Sequence, residues 1–448
     1  MTIGFFFVLF LTVILLLMAV AGDRSLFILL IFLLCSQLFS LLDIMDFTVK
    51  GIFDLHAILI ILFSLIILVS FGRVKTLFKA RNFVFFAVFL LFAVFGVIYP
   101  YVKEYSSIFY SLKASKEFLM ILAYPAVFLF IRNRNQVDRS WGILVFFGVF
   151  YSILEIVAQI FGATLLSKLN YAYQAEGPLW KVYPPFWIVI LIALFVTLYK
   201  SVMRLKFSSI ILGVVFIGLL LTFFRSYLLA SFTVIPLVLL MSKLEVFKLL
   251  GRGLLMGVFM ILVVVVFSLS LGGVGAIEKV ADDFLFSAIS ELRENKGGAL
   301  QGREKFAEKR RKILNQSKYV GFGFIDKDSS FGKKVAGRIK GHTLGFLDKG
   351  DVDVALKFGI VGRFILYLTV IMIGLRAIFD MRKIGSSEYS ARLLTVATMC
   401  FIFILVQPVH APITYSFGLL PLFICLALLD KERLLLIAQH RVKARKHA

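Results

Sequence analysis

A chain of 448 residues that is 60% hydrophobic, 15% aromatic and only 17% charged departs from soluble domains, which run near about 45–50% apolar and about 25% charged. Its mean hydropathy of +0.96 makes hydrocarbon the solvent for most of the chain. That excludes a secreted or disordered protein, and also the nucleic-acid binding that a net charge of +23 would indicate in a soluble one.

In chain order, apolar runs that fit a bilayer core of roughly 20 residues per helix fall near 3–21, 25–42, 52–72, 82–99, 113–131, 141–163, 183–200, 207–224, 226–241, 250–271, 354–375, 390–408 and 411–429. The expected fold is an all-α polytopic transmembrane protein of about 12–14 spans. The first run lacks a basic leader and is followed directly by another span, unlike a cleaved signal peptide. Cys35, Cys400 and Cys425 lie inside apolar runs without paired spacing, so neither a disulfide framework nor a zinc site is indicated.

Basic residues fall in every second loop: Arg73 to Arg81, Arg132 to Arg139, Lys200 to Lys206, Lys243 to Arg252, Arg376 to Lys383, and the tail from Lys431. The intervening loops are short and poor in net charge. This asymmetry places the basic loops and the C-terminus in the cytoplasm. The tail itself reads as a basic amphipathic helix suited to anionic headgroups.

The rhythm breaks once, which divides the chain into four parts. Residues 1–271 carry N-terminal spans, 272–352 form a large loop on the outer face, 353–430 carry C-terminal spans, and 431–448 are the basic tail. Within the loop, 276–295 and 300–317 read as surface helices, followed by a Gly-rich stretch that starts at Gly321-Phe-Gly-Phe. A long loop held on a membrane scaffold is commonly functional.

Ionisable residues inside spans are few, and each is a candidate because charge in hydrocarbon is costly. Asp54 and His56 stand at the head of the third run, where an interfacial position explains them. Glu155 lies deeper and fits either a helix–helix contact or a site. Arg225, in Thr222-Phe-Phe-Arg-Ser, could snorkel to the interface or present its donors to a phosphate. Arg310, Arg311 and Lys312 precede Gly321 and Gly323, whose missing side chains would let backbone approach an anionic ligand. Asp348, Asp351 and Asp353 crowd a helix start, where acidic residues also serve as simple caps. One of them, or His342, could instead act as a base. The spacing matches no metal-ligand pattern.

Together these segments resemble the O-antigen polymerase and O-antigen ligase superfamily of bacterial surface-polysaccharide assembly. Thr222-Phe-Phe-Arg-Ser resembles the family's T-x-S-R-S signature, with Phe224 in place of the usual Ser. Arg310 and Gly321, separated by ten residues, resemble its R-x10-G motif. Asp348, eleven residues before Gly359-Ile-Val-Gly362, resembles its loop-to-helix passage ending in G-I-x-G. The resemblance implies an inverting glycosyl transfer at the periplasmic face of the inner membrane, with no cofactor, nucleotide sugar or metal. The donor would be an undecaprenyl-diphosphate-linked oligosaccharide and the acceptor a hydroxyl of a second glycan. Arg225 and Arg310 would hold the diphosphate, with Arg311, Gly321, Gly323 and Asp351 beside them. Asp348, or failing that His342, would activate the acceptor. Family ligases place His-Asn where this chain has Asp348-Lys349, which favours a polymerase over a ligase that transfers the glycan to lipid A core. A chain-length regulator is a partner expected from the family alone. A lipid-linked oligosaccharide flippase is the rival, but the chain shows no internal repeat and few midplane charges.

Overall fold

The computed structural model describes residues 13–14, 16–36, 55–162, 172–176, 179–183, 187–203, 205, 209–222, 225–242, 308, 310–326, 328–333, 350–384 and 387–447. The apolar run 250–271 lies outside them, as does most of 3–21. The described parts of the other runs are largely helical, as expected where backbone polar groups must be satisfied without water.

The helices are α1 (Leu26–Cys35), α2 (Leu55–Val69), α3 (Val74–Leu77), α4 (Phe83–Val102), α5 (Ile108–Ser115), α6 (Ala123–Phe130), α7 (Arg134–Phe161), α8 (Val189–Val202), α9 (Ser209–Leu221), α10 (Arg225–Met241), α11 (Gly350–Ile384), α12 (Glu388–Val406) and α13 (Ser416–His447). Four of them, α4, α7, α11 and α12, are long and apolar enough to cross a membrane. A fifth candidate is the pair His56–Val69 and Phe71–Leu77, bent by 68°. The remaining apolar helices are shorter. The run 113–131, for example, divides into a 3-10 turn, Phe118–Leu122, and α6. Pro125 explains that division, because it cannot donate to the carbonyl of Ile121 and its ring crowds that carbonyl.

The described chain is all-helical as expected apart from one short hairpin. β1 (Ala172–Glu176) and β2 (Leu179–Tyr183) form an antiparallel hairpin between α7 and α8. Its alternating aromatic and polar residues, Tyr173, Gln174, Trp180 and Lys181, carry a strand period that a hydropathy window averages away. The basic tail also differs from expectation, since it continues α13 as one 32-residue helix.

Burial separates the two kinds of helix face. α12 is enclosed along nearly its whole length and packs against α8, α10, α11 and α13. On α11, Leu366, Val370, Ile373 and Ala377 are buried, whereas Val361, Phe364, Leu368, Met372 and Phe379 are exposed at helical spacing. A face with Phe364 68% exposed and, on α4, Leu91 69% exposed is stable against lipid, not water.

One end of the bundle carries a cluster of ion pairs. There Arg81 pairs with Asp380, Lys200 with Glu388 at 3.1 Å, and the Arg382 guanidinium donates to the carbonyl of Met241. The buried Arg392 holds Glu432 and Asp138, each at 2.8 Å. Asp430 caps the start of α4. It accepts from the Asn82 amide at 2.8 Å and from the Tyr124 hydroxyl at 2.6 Å. Among the described residues, basic side chains of the 73–81, 200–206 and 376–383 clusters therefore meet at this end.

Candidate functional site

At the opposite end, several helix starts converge on the turn between α12 and α13. His56, in the first turn of α2, shares a hydrogen bond of 2.9 Å with the Ser416 hydroxyl. Both the amide and the hydroxyl of Ser416 donate to Glu117 at 3.3 Å, so this carboxylate caps α13. Thr414 donates to Asp353 at 2.8 Å. Asp353 is 2% exposed and also accepts from Lys357, one turn on, at 2.8 Å. The Lys357 ammonium lies 4.6 Å from the centre of the Tyr415 ring, a cation–π contact that shields the pair.

The same turn reaches the start of α10. The Tyr227 ring is 5.4 Å from that of His410 and 4.6 Å from that of Trp187. Gly350 sits directly against the carbonyls of His410 and Gln407, where a Cβ would come within 2.1 Å of the first. The chain just past Arg225 and the chain just past Asp348 are thus joined through His410.

The third segment docks by exploiting two breaks in helices. Pro100 has no N–H, so the carbonyl of Gly96, four residues earlier in α4, is left open. The amide of Phe324 fills it at 2.7 Å. In α11 the backbone leaves helical geometry at Gly359, with φ of 70° and ψ of −178°. That break redirects the Ile360 amide to the carbonyl of Lys318 at 3.0 Å. The carbonyls of Leu356 and Lys357 are freed and accept from Phe322 at 2.7 Å and Gly323 at 2.8 Å. Gly321, at φ of 77°, donates to Ser317 at 2.8 Å. Only glycine fits this crossing, since a Cβ on Gly359 would meet the Tyr319 oxygen at 2.0 Å.

The close approach allowed by Gly321 and Gly323 is therefore to α11 and α4. The sequence had suggested a ligand instead. The amides of residues 321–324 are all engaged by protein carbonyls. Phe118, Phe324 and Phe358 close the junction, with ring centroids 5.4 to 5.5 Å apart. Lys113 clips the loop from α5 by pairing with Asp328 at 2.8 Å and Asp326 at 3.4 Å. The adjoining Asp328 carboxylate raises the Lys113 ammonium above its ordinary pKa, and Asp326 adds to the effect.

Arg310 lies in a helical segment ahead of this crossing and is 3% exposed, while Arg311 beside it is exposed. Ile313, three residues on, packs against Phe322 with Leu356 and Tyr105 around them. Asp351 stands in the first turn of α11 and pairs with Arg363 at 3.6 Å across the Gly359 break. A straight helix would hold twelve residues about 18 Å apart, so the break brings them together. Arg225 begins α10; His342 and Asp348 lie outside the described residues. Among the described residues, no group of three or more His, Cys, Asp or Glu is placed to hold a metal.

Sequence reasoning missed His410, Glu117, Thr414 and Ser416. All are single polar residues in short turns, and only the packing of distant helices brings them together. Glu155 is 1% exposed in α7, and among the described residues neither carboxylate oxygen has a hydrogen-bond partner. It lies one turn beyond Ser152, which packs against Gly218 of α9. No protein-family model matches the chain, and no curated protein matches it.

Proposed function

We propose that this chain is a membrane glycosyltransferase that polymerises polyprenyl-diphosphate-linked oligosaccharide repeat units, as in O-antigen assembly. In this reading it has about 12–14 spans in the bacterial inner membrane, with a cytoplasmic C-terminus and residues 272–352 in the periplasm. The observation that carries the reading is the meeting of three distant segments at one end of the bundle. The Gly321-Phe-Gly-Phe turn locks into the Gly359 break, and Tyr227, two residues past Arg225, meets the His410 turn that backs Gly350. Each segment is one of those that carry the resemblance.

The physical setting suits an anionic lipid-linked donor. The starts of α2, α8, α10, α11 and α13 lie at this end, and their dipoles favour negative charge. Arg225 and Arg310 bind the diphosphate and stabilise the charge that develops as it leaves. Asp348, or His342 in its place, takes the proton from the acceptor hydroxyl. The hydroxyl oxygen forms its bond to the anomeric carbon as the bond to the diphosphate breaks. The electron pair leaves with the diphosphate, and the configuration inverts.

The test is reconstitution of the purified protein with lipid-linked repeat units alone. Elongation supports polymerisation; transfer only when lipid A core is supplied identifies a ligase. No transfer, with lipid-linked glycan moved across the bilayer instead, identifies a flippase.

A further inference from the structure

The charged end of the bundle contains a narrow cleft between the start of α4, the end of α11, α12 and α13. Arg81, Arg376, Arg433, Asp380 and Asp430 line it. The two carboxylates are already engaged. Asp380 pairs with Arg81, and Asp430 accepts from Tyr124 and from both the backbone and side chain of Asn82. Arg376 uses one amino group on the Arg81 carbonyl at 2.7 Å and rests on the Phe85 ring at 5.0 Å. Among the described residues its other donors make no hydrogen bond, although Asp380 and Asp430 lie near enough to act on its charge. Arg433 is half-buried and makes no hydrogen bond or ion pair among the described residues. The cleft therefore holds cationic donors in excess of the acceptors that could satisfy them.

The surroundings select the form in which an anion would arrive. Val84 and Phe379 are exposed on α4 and α11, two of the helices that line the cleft, and Phe78, between α3 and α4, is 66% exposed. An arginine fork matches two oxygens of a phosphate, and apolar side chains exposed on the same helices match acyl chains. We infer that the mouth of this cleft, whose interior has room for no more than about one water, binds the phosphodiester headgroup of an anionic phospholipid, with Arg376 and Arg433 as its ligands. Basic pockets between spans on the face with positive loops are suited to such headgroups. This site is at the end of the bundle opposite the proposed transfer site and does not depend on that reading.

The experiment compares the full-length protein with Arg433→Gln and Arg376→Gln, using Arg441→Gln in the exposed part of the tail as a control of equal charge. Each is reconstituted in vesicles of phosphatidylcholine with phosphatidylglycerol, extracted in mild detergent, and weighed by native mass spectrometry. The wild type and Arg441→Gln retain phosphatidylglycerol in preference to phosphatidylcholine. Arg433→Gln loses most of that retention, about tenfold, as expected for loss of a charge-assisted contact worth about 1.4 kcal/mol. Equal retention by Arg433→Gln and the wild type overturns the inference. So does equal loss in Arg441→Gln, which would make the attraction one of bulk charge. A thermal shift from inorganic phosphate equal to that from phosphatidylglycerol overturns the lipid source. Arg433 makes no hydrogen bond or ion pair among the described residues and only adds to the field at Asp430, so Arg433→Gln keeps the test decisive even where Arg376→Gln fails to fold.

Discussion

The amide of Phe324 donates to the carbonyl of Gly96 at 2.7 Å, an acceptor that is open because Pro100 stands where the helix would otherwise supply a donor. A loop residue more than 200 positions away in sequence thus completes a helix. At Gly96 a Cβ would lie 2.4 Å from the Phe324 ring. Gly96→Ala is expected to weaken loop docking by about 1–3 kcal/mol and to expose residues 308–333 to limited proteolysis. Cleavage unchanged from wild type would show that the contact does not hold the loop.

Gly359 is the counterpart on α11. Alanine there would combine a left-handed backbone, worth of order 1–3 kcal/mol, with a clash against Tyr319. Gly359→Ala should lower the melting temperature more than Gly374→Ala in the same helix. At Gly374 the nearest atoms to a Cβ are 3.2–3.3 Å away and belong to side chains. Equal melting temperatures for the two variants would refute the role of the break.

How far this was legible follows from the physics of each signal. Hydropathy marks the apolar runs because burial in lipid acts residue by residue, so helices emerged where expected. The motif glycines stood out for the same local reason. Their partners did not, since Leu356, Lys357 and Gly96 contribute only carbonyl groups. The arginines at 225 and 310 were legible as charges out of place, while His410 and Thr414 gain meaning only from Tyr227 and Asp353 beside them. The hairpin between α7 and α8 escaped because its period of two is invisible to a window tuned to spans.

Asp353 ties α11 to the turn before α13 through Thr414 and Lys357. Asp353→Ala leaves the Lys357 ammonium without its carboxylate and should cost about 3–5 kcal/mol. Thr414→Val removes one hydrogen bond and should cost about 1–2 kcal/mol. Denaturation of the detergent-solubilised variants gives both values, and a Thr414→Val loss as large as that of Asp353→Ala would contradict this ranking.

Glu155 calls for the opposite expectation. A buried carboxyl is a burden unless it is partnered, and Glu155 has no partner among the described residues, so Glu155→Gln or Glu155→Met should leave the melting temperature unchanged or raise it. A fall of more than about 1 kcal/mol in stability would mean that the carboxyl has a structural partner.

The Lys113 clip gives a pH dependence. Its folded pKa is raised above the unfolded value by Asp328, so its contribution is complete below the ordinary lysine pKa. It is lost as pH climbs through the raised value. The pair is partly exposed, which limits the effect to well under about 1 kcal/mol. Proteolysis of the loop should rise at strongly alkaline pH in the wild type. In Lys113→Gln it should be high at neutral pH and rise no further. A parallel rise in both would assign the pH effect elsewhere.

The most direct test of the proposed function is elongation by purified protein supplied only with undecaprenyl-diphosphate-linked repeat units, compared with Arg225→Ala and Arg310→Ala. The wild type should build a ladder of lengthening chains without lipid A core, and each arginine variant should lose at least about a hundredfold in rate. A wild-type protein that transfers glycan only when lipid A core is present, or arginine variants that elongate at the wild-type rate, would contradict it.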